Sequence, residues 1–308
     1  MRRGQTPEGL TVVSVDHERK WRTVKLAAGD ATAMISFRGA EPLSWTVSDR
    51  NLLWDGDVAF WPWHAPILFP VIGDSTDGTV RVRGSQYRMA RHGFARTATF
   101  ECVERTERNV RLRLTDSDAT HVHYPFAFVF EVVIALGQLS LSLIFEVENR
   151  DDADMPYSVG FHPAIAWPFA DDEKSAYSIE FEAEESPIVP TITSAGLLRE
   201  DGRRLPFDGR ILHLAREMFT RDALVFRDAA SRSLRFIGST GAVTITADNM
   251  PHWALWTNPD APFLCVESWT GHGDIENYFG DLKDRPSIRI LKRGQRARHA
   301  VTLAWQAQ

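Results

Sequence analysis

The stretch Gln138-Leu-Ser-Leu-Ser-Leu-Ile-Phe-Glu-Val-Glu-Asn149 alternates apolar and polar residues over most of its length. Successive side chains of a β-strand point to opposite faces, so this period of two predicts a half-buried strand. The residues expected on its buried face are Leu139, Leu141, Leu143, Phe145 and Val147. The preceding run, 126–136, is also strand-like, and Gly137-Gln138 between the two suits a two-residue type II′ turn. A long antiparallel hairpin is therefore predicted here.

Alternation of the same kind recurs along the chain, and each occurrence predicts a further antiparallel strand. The clearest further runs are 79–83, 109–115, 241–247 and 298–305. Helical periodicity is scarce, and 274–283 is the best candidate for a short surface helix. Many short strands with Gly and Pro turns favour an all-β fold, a large antiparallel β-sandwich with few short helices. No repeat or linker divides the chain, so a single domain over 1–308 is expected.

Composition restricts the class of protein. The 308 residues are 44% hydrophobic and 25% charged, as in ordinary globular proteins, and the net charge of −6 offers no basic surface for nucleic acid. No apolar run is long enough to span a membrane, and the N-terminal residues lack the apolar core of a signal peptide. With only Cys102 and Cys265, both expected to stay reduced, the predicted location is the cytoplasm.

Three segments break the alternation and place polar side chains among aromatic ones: 91–96, 160–163 and 263–271. The second holds His162 between Gly160-Phe161 and Pro163, and histidine is the side chain whose ordinary pKa lies nearest neutrality. The third holds Glu267 in a strand that is apolar on both faces, where a carboxylate is expected to be partly desolvated. Each residue taken singly has a commoner structural role. A histidine such as His162 more often bonds to a backbone carbonyl, and a buried glutamate such as Glu267 more often pairs with an arginine.

Other groups of residues give weaker support for a function. His121-x-His123 puts two imidazoles on one face of an expected strand, but no third ligand follows at a recognisable spacing, so a solvent-facing pair is predicted rather than a metal site. The chain has no Walker loop, no Gly-x-Gly-x-x-Gly after a strand and no Gly-x-Ser-x-Gly elbow. Nucleotide use and serine hydrolysis therefore lack support.

Several segments together, in their order and spacing, resemble the aldose 1-epimerase (galactose mutarotase-like) family, and more specifically its bacterial mutarotase-like branch. They are Ala65-Pro-Ile-Leu-Phe-Pro-Val-Ile-Gly73, His92-Gly-Phe-Ala-Arg96, Tyr124-Pro-Phe-Ala-Phe128, Val147-Glu-Asn149, Met155-Pro-Tyr-Ser-Val-Gly-Phe-His-Pro163 and Cys265-Val-Glu-Ser-Trp-Thr-Gly271. The resemblance implies one antiparallel β-supersandwich that holds a sugar in an open cleft on one sheet.

The resemblance also implies roles for individual residues. His162 matches the general acid, Glu267 matches the general base, and His92 matches a histidine that holds the sugar ring. Arg96 would line the same cleft, and Asp222 is a weaker match to an acidic contact with a sugar hydroxyl. The reaction that the resemblance implies is the interconversion of the α and β anomers of an aldohexose. It implies neither a cofactor nor a metal.

The electrostatics of the pair and the aromatic residues complete the expected site. A carboxylate beside His162 is expected to favour the charged imidazolium, which keeps this histidine able to donate a proton. Of the tryptophans near these segments, Trp269 and Trp167 are the candidates to pack on the C–H face of a pyranose.

One departure from the family pattern bears on the substrate. Where relatives often have Arg after the Phe-Pro-x-x-Gly segment, this chain has Asp74. The partner is therefore expected to be a small sugar, with free aldose slightly favoured over its phosphate, which arginines would bind. A non-catalytic carbohydrate-binding protein on the same fold stays open, whereas a glycosidase would need a second carboxylate, for which only Asp222 is available. The oligomeric state, monomer or homodimer, is not determined.

Overall fold

The computed structural model describes residues 22–169, 177–258 and 260–307. The strands in these ranges are β1 Thr23–Ala28, β2 Ala31–Ser36, β3 Pro42–Val47, β4 Arg50–Asn51, β5 Ile67–Leu68, β6 Thr79–Val82, β7 Ser85–Arg88, β8 Glu101–Arg105, β9 Asn109–Thr115, β10 Phe128–Leu136, β11 Ser140–Asn149, β12 Met155–Tyr157, β13 Gly160–Phe161, β14 Ala164–Ala166, β15 Ser178–Phe181, β16 Ile188–Ile192, β17 Leu198–Arg204, β18 Phe207–Asp208, β19 Ile211–His213, β20 Leu224–Phe226, β21 Ser233–Gly238, β22 Gly241–Asp248, β23 His252–Trp256, β24 Phe263–Trp269, β25 Arg289–Leu291 and β26 Arg296–Ala307. Helical turns are short: α1 Asp118–His121 and the 3₁₀ turns Thr76–Gly78, Ala95–Thr97, Arg216–Phe219 and Leu282–Asp284.

Two large sheets dominate the architecture. The larger has ten strands in the order β18-β19-β15-β21-β22-β26-β11-β10-β9-β8, and its neighbouring strands pair antiparallel. The second runs β20-β23-β24-β13-β5, and β14 also pairs with β24. A four-stranded sheet, β1-β2-β3-β4, and three two-stranded ribbons complete the described part of the fold. The predicted all-β antiparallel supersandwich is confirmed.

The long hairpin forms as predicted, but its turn lies one residue later. Leu136 pairs with Leu141, and the Gly137 N–H donates to the Ser140 carbonyl at 2.8 Å, so Gln138 and Leu139 form the turn. The type II′ prediction with Gly137 at its first corner is wrong, and Leu139 is 54% exposed. Registers that differ by two residues keep the same side chains on the buried face, so alternation by itself does not choose between them.

Two predictions of local structure are wrong. Residues 274–283 form no helix beyond the 3₁₀ turn that begins at Leu282, because the Asp274 carboxylate is drawn into the interior by contacts with distant segments. His121 and His123 do not share a strand face, since His121 ends α1 and His123 lies in the following turn. Their ring nitrogens contact Asp116 and the Arg88 carbonyl respectively. Tertiary contacts override the weak local pattern at 274–283, whereas at 121–123 a local capping box between Ser117 and Thr120 starts α1 in place of a strand.

Strand β24 lies in the interior and places the candidate site. All seven of its residues are buried. Leu264 and Val266 join the main hydrophobic core, which draws residues from Leu26 to Trp305, whereas Phe263 and Cys265 join a small cluster on the opposite face. The prediction of a strand that is apolar on both faces is confirmed.

Cys265 and Cys102 are free thiols, and no helix in the described ranges is long and apolar enough to cross a membrane.

Candidate active site

Strand pairing sets His162 directly across from Glu267. Phe161 pairs with Ser268 and Ala164 pairs with Cys265, and these two pairs bracket His162 and Glu267 in one register. Facing residues on adjacent antiparallel strands bring their side chains into contact. The backbone N–H of His162 donates to the Pro66 carbonyl at 3.1 Å, which fixes the histidine where β13 gives way to β14.

The two side chains meet in a dry environment. His162 Nε2 lies 3.2 Å from Glu267 Oε1, and the side chains are 9% and 2% exposed. The second carboxylate oxygen accepts a hydrogen bond from Trp269 Nε1 at 3.1 Å. This contact is possible because residues two positions apart in a strand point to the same face. The His162 ring stacks on Trp61 with centroids 5.0 Å apart. Both catalytic candidates are thus held in place by aromatic neighbours.

Burial sets the protonation of this pair. It lowers the pKa of His162 to about 3, with the positive charge of Arg96 acting in the same direction. Burial also raises the pKa of Glu267 well above its usual range, against the lowering effect of the Trp269 hydrogen bond. The charged imidazolium expected from the neighbouring carboxylate is therefore not the favoured form, because desolvation outweighs the attraction of the pair. Burial therefore favours the neutral imidazole of His162 and the protonated carboxyl of Glu267.

His92 is fixed as a neutral hydrogen-bond donor. Its Nδ1 accepts the Gly73 N–H at 3.1 Å, while its own backbone N–H donates to the Gly73 carbonyl at 2.9 Å. Burial lowers its pKa well below the ordinary value. With Nδ1 occupied as an acceptor, the ring proton of the neutral form must be on Nε2. The ring lies 5.6 Å from that of His162, edge to face.

The turn that carries His92 needs glycine at the next position. His92 has φ +66° and Gly93 has φ +74°. A Cβ at Gly93 would stand against the Phe69 carbonyl, closer than side-chain atoms approach one another. Because Phe69 directly follows β5, this close packing ties the His92 turn to the sheet that carries His162 and Glu267.

The cleft around the pair has a volume of about 250 Å³. That is somewhat below the roughly 300–1,000 Å³ typical of drug-sized ligand sites, and it suits a single monosaccharide. All six residues predicted for the site line it: His162, Glu267, His92, Arg96, Asp222 and Trp269. Trp167 does not, since it is buried in the core against Phe236, with centroids 6.2 Å apart.

Arg96 and Asp222, two of the charged residues that line the cleft, differ in their surroundings. The half-buried Arg96 guanidinium lies 5.1 Å above the Trp63 ring, and within the described part of the chain no carboxylate reaches ion-pair distance of it. Asp222, in a left-handed conformation at φ +70°, accepts the Ala223 N–H at 2.8 Å. Its charge contributes to the raised pKa of Glu267. A cation and an anion are therefore available to sugar hydroxyls.

Sequence reasoning missed several residues of the site. Trp61 and Trp256 line the cleft beside His162, and neither is among the residues that the sequence predicts for the site. Arg91, next to the predicted His92, also lines it and contacts Asp74. The available signal for Trp61 was the Trp61-Pro-Trp-His run, whose proline argues against a central strand and places its aromatic residues in a loop.

A buried ion pair beneath the cleft was also missed. Arg285 Nε lies 2.7 Å from Asp274 Oδ1, and both side chains are almost fully buried. Asp274 Oδ2 accepts the Thr76 N–H at 2.7 Å, and Arg285 Nη2 donates to the carbonyls of Ile72 and Asp74. The pair thereby joins the chain near 274 to the loop that leads into the His92 turn.

Replacing Asp274 with Ala should destabilise the protein by about 3–5 kcal/mol, because it leaves the Arg285 guanidinium charged and unpaired in the interior. Denaturant unfolding followed by tryptophan fluorescence measures this loss. Asp284→Ala is the matched control, since Asp284 is exposed and makes no ion pair with the described residues. Equal stability of the two variants would contradict the structural role of the Asp274–Arg285 pair.

Comparison with known proteins agrees with this geometry. The family model described as aldose 1-epimerase matches residues 22–304. The chain belongs to the aldose 1-epimerase family. The plasmid-encoded protein LacX of Lactococcus lactis subsp. lactis is a relative at 31% identity over 249 residues, which cover 77% of this chain and 83% of LacX.

Solved structures agree with this assignment to the aldose 1-epimerase family. A galactose mutarotase related enzyme from Lactobacillus acidophilus is 25% identical, with a TM-score of 0.85 over 92% of this chain and 97% of its own. A galactose mutarotase-like protein from Lactobacillus casei is also 25% identical, with a TM-score of 0.86 over 92% and 100%. Among the described residues of this aldose 1-epimerase family member, no group of three or more His, Cys, Asp or Glu side chains is arranged to hold a metal.

Proposed function

We propose that this protein is an aldose 1-epimerase that interconverts the α and β anomers of an aldohexose, with His162 as general acid and Glu267 as general base. The observation that carries the proposal is the buried His162–Glu267 contact of 3.2 Å in a cleft the size of one sugar. Membership of the family makes this chemistry the leading candidate.

The reaction needs an acid and a base and no other reagent. Glu267 removes the proton from the O1 hydroxyl while His162 gives a proton to the ring oxygen, and the bond from C1 to the ring oxygen breaks to leave an open-chain aldehyde. Rotation about the C1–C2 bond presents the other carbonyl face. The ring then closes as the two side chains return the protons in reversed roles. Each such transfer is typically worth about 10²–10⁴-fold in rate.

A proton that Glu267 and His162 share would suit these reversing roles. Moving the proton of the pair from Glu267 to His162 creates the acid and the base together without changing the number of bound protons. Hydrogen bonds from a sugar to the carboxylate, added to the Trp269 N–H already present, would favour the ionised Glu267. Activity should therefore persist between the pH at which the pair takes up a second proton, near the pKa of about 3 of His162, and the pH at which it loses its last one.

The remaining lining residues would hold the ring. The Nε2–H of His92 and the Arg96 guanidinium donate to sugar oxygens, and the Asp222 carboxylate accepts from a hydroxyl. Trp61 and Trp256 offer apolar walls for the C–H face of a pyranose. We keep the cytoplasm as the proposed location, which the two free thiols favour.

Polarimetry tests the proposal. Freshly dissolved α-D-glucose and α-D-galactose should equilibrate faster in the presence of the purified protein than in buffer, and the 6-phosphates complete the panel. Binding of a sugar without acceleration would instead support a non-catalytic carbohydrate-binding protein on the same fold. Failure of every sugar in the panel to equilibrate faster would exclude the enzymatic proposal.

Replacing Trp269 with Phe should shift the alkaline limit of activity to higher pH. The indole N–H stabilises the ionised form of Glu267, so its removal raises the pKa of this carboxyl and the pair keeps its proton to higher pH. A hydrogen bond to a charged group is worth about 1.5–3 kcal/mol, which corresponds to roughly one to two pH units. The pH profile of the mutarotation rate measures the shift, and Trp167→Phe, in the core, is the control. An unchanged alkaline limb would show that Trp269 does not tune Glu267.

A further inference from the structure

Asp74 and Arg91 form an ion pair in the wall of the cleft. Arg91 Nε lies 2.6 Å from Asp74 Oδ2, and both residues line the cavity that contains the His162–Glu267 contact. The Asp74 side chain is 23% exposed and that of Arg91 is 50% exposed, so the carboxylate lies deeper than the cation. The pair stands where the family resemblance leads one to expect an arginine after the Phe-Pro-x-x-Gly segment.

Neighbouring segments hold this pair in place. The Asp74 carbonyl accepts hydrogen bonds from the Asp274 N–H at 3.0 Å and from the buried Arg285 at 3.1 Å, which fix its backbone. The turn at Gly196 covers the side chains. A Cβ at Gly196 would overlap Asp74 Oδ2 and would lie 2.7 Å from Arg91 Nη2. The carboxylate and the guanidinium therefore pack closely against the backbone of Gly196.

The charges of the cleft favour a neutral ligand. Its lining cations are Arg91 and Arg96, and Asp74 already neutralises Arg91. Asp222 adds a second negative charge among the lining residues. A phosphate group is bound best by guanidinium groups that are free to donate in pairs. With Arg91 engaged, a phosphate dianion would meet one free guanidinium and the Asp74 carboxylate.

We propose that Asp74 is a specificity-determining residue, which holds Arg91 in an ion pair so that the cleft selects a neutral aldose and rejects its phosphate. This inference rests on the proposed function and names the class of its substrate. An element that repels the wrong ligand contributes to specificity as much as contacts with the correct one. The unbonded N–H groups of Arg91 and the lone pairs of Asp74 remain suited to vicinal hydroxyls.

Calorimetric binding of D-glucose and D-glucose 6-phosphate to the full chain tests the proposal without using turnover. The wild type should bind glucose more tightly than its phosphate. Asp74→Asn should bind glucose 6-phosphate about 10–100-fold more tightly than the wild type, because the released guanidinium gains charge-assisted hydrogen bonds. Its glucose affinity should change far less than its phosphate affinity, since Asn keeps one acceptor oxygen for a hydroxyl. Asp77→Asn, an exposed change in the same loop, should leave both affinities unchanged.

A double variant shows whether a gain in phosphate affinity comes from the released Arg91 guanidinium or only from the loss of a negative charge in the cleft. Asp74→Asn combined with Arg91→Gln should lose the gain in phosphate affinity. Persistence of the gain in the double variant, tighter phosphate than glucose binding by the wild type, or no gain in Asp74→Asn would each overturn the proposal. Asp74→Ser replaces Asp74→Asn if thermal unfolding shows that the latter does not fold. Selective glucose binding without mutarotation would refute the proposed function and leave this inference standing.

Discussion

Replacing Glu267 with Gln is expected to lower the rate of mutarotation by about 10²–10⁴-fold, because the amide cannot remove the proton from O1. The change keeps the size of the side chain and an oxygen that can accept the Trp269 N–H. Fold and sugar binding should therefore survive. Polarimetry at saturating sugar measures the loss, which should be seen in kcat more than in KM, since the interaction removed develops in the transition state.

Glu101→Gln is the matched control for this prediction. Glu101 is exposed on the edge strand β8, and its replacement should leave the rate unchanged. Because burial raises the pKa of Glu267 and so disfavours its ionised form, the neutral Gln side chain should not destabilise the protein. A Glu267→Gln protein with near wild-type turnover would remove Glu267 from the mechanism.

Replacing His162 with Gln should also remove most of the rate, by about 10²–10⁴-fold, because no proton reaches the ring oxygen. The Gln amide nitrogen stands in for Nε2 and can still bond Glu267, so the geometry of the contact at 3.2 Å is largely kept. If the two side chains act as one unit, the double variant with Glu267→Gln should be little slower than the slower single variant. Polarimetry measures all three rates.

His213→Gln, at an exposed position on β19, controls for the loss of an imidazole and should retain full activity. Retention of more than about a tenth of the rate by His162→Gln would fall short of the contribution expected of a general acid. In that case His92, 5.6 Å away ring to ring, becomes the next residue to test.

The strands of this protein could be predicted from local sequence because the alternation of apolar and polar residues that favours a strand is itself local. The predicted strand 109–115 coincides with β9, and 241–247 lies within β22, which extends one residue further. Side chains that alternate in polarity can bury one face only as an extended strand. The turn at Gln138-Leu139 was misplaced because two hairpin registers bury the same residues, and the pairing of the whole sheet chooses between them.

The helix predicted over 274–283 failed for the opposite reason. Its periodic apolar residues satisfied a local rule, but the buried Asp274–Arg285 pair and the Thr76 N–H bond hold the segment in an irregular path. A side chain that makes one strong buried interaction with a remote segment outweighs the small propensities of a ten-residue window.

The sequence by itself determined the all-β class and marked two candidate site residues, since the rigidly framed His162 and the buried-strand Glu267 are distinguished by their immediate neighbours. Only the tertiary structure decided that the two face each other across β13, β14 and β24, that burial lowers the pKa of His162 and raises that of Glu267, and that Asp74 engages Arg91. Pairing, desolvation and ion-pair formation depend on which distant segments pack together, and no local pattern encodes that arrangement.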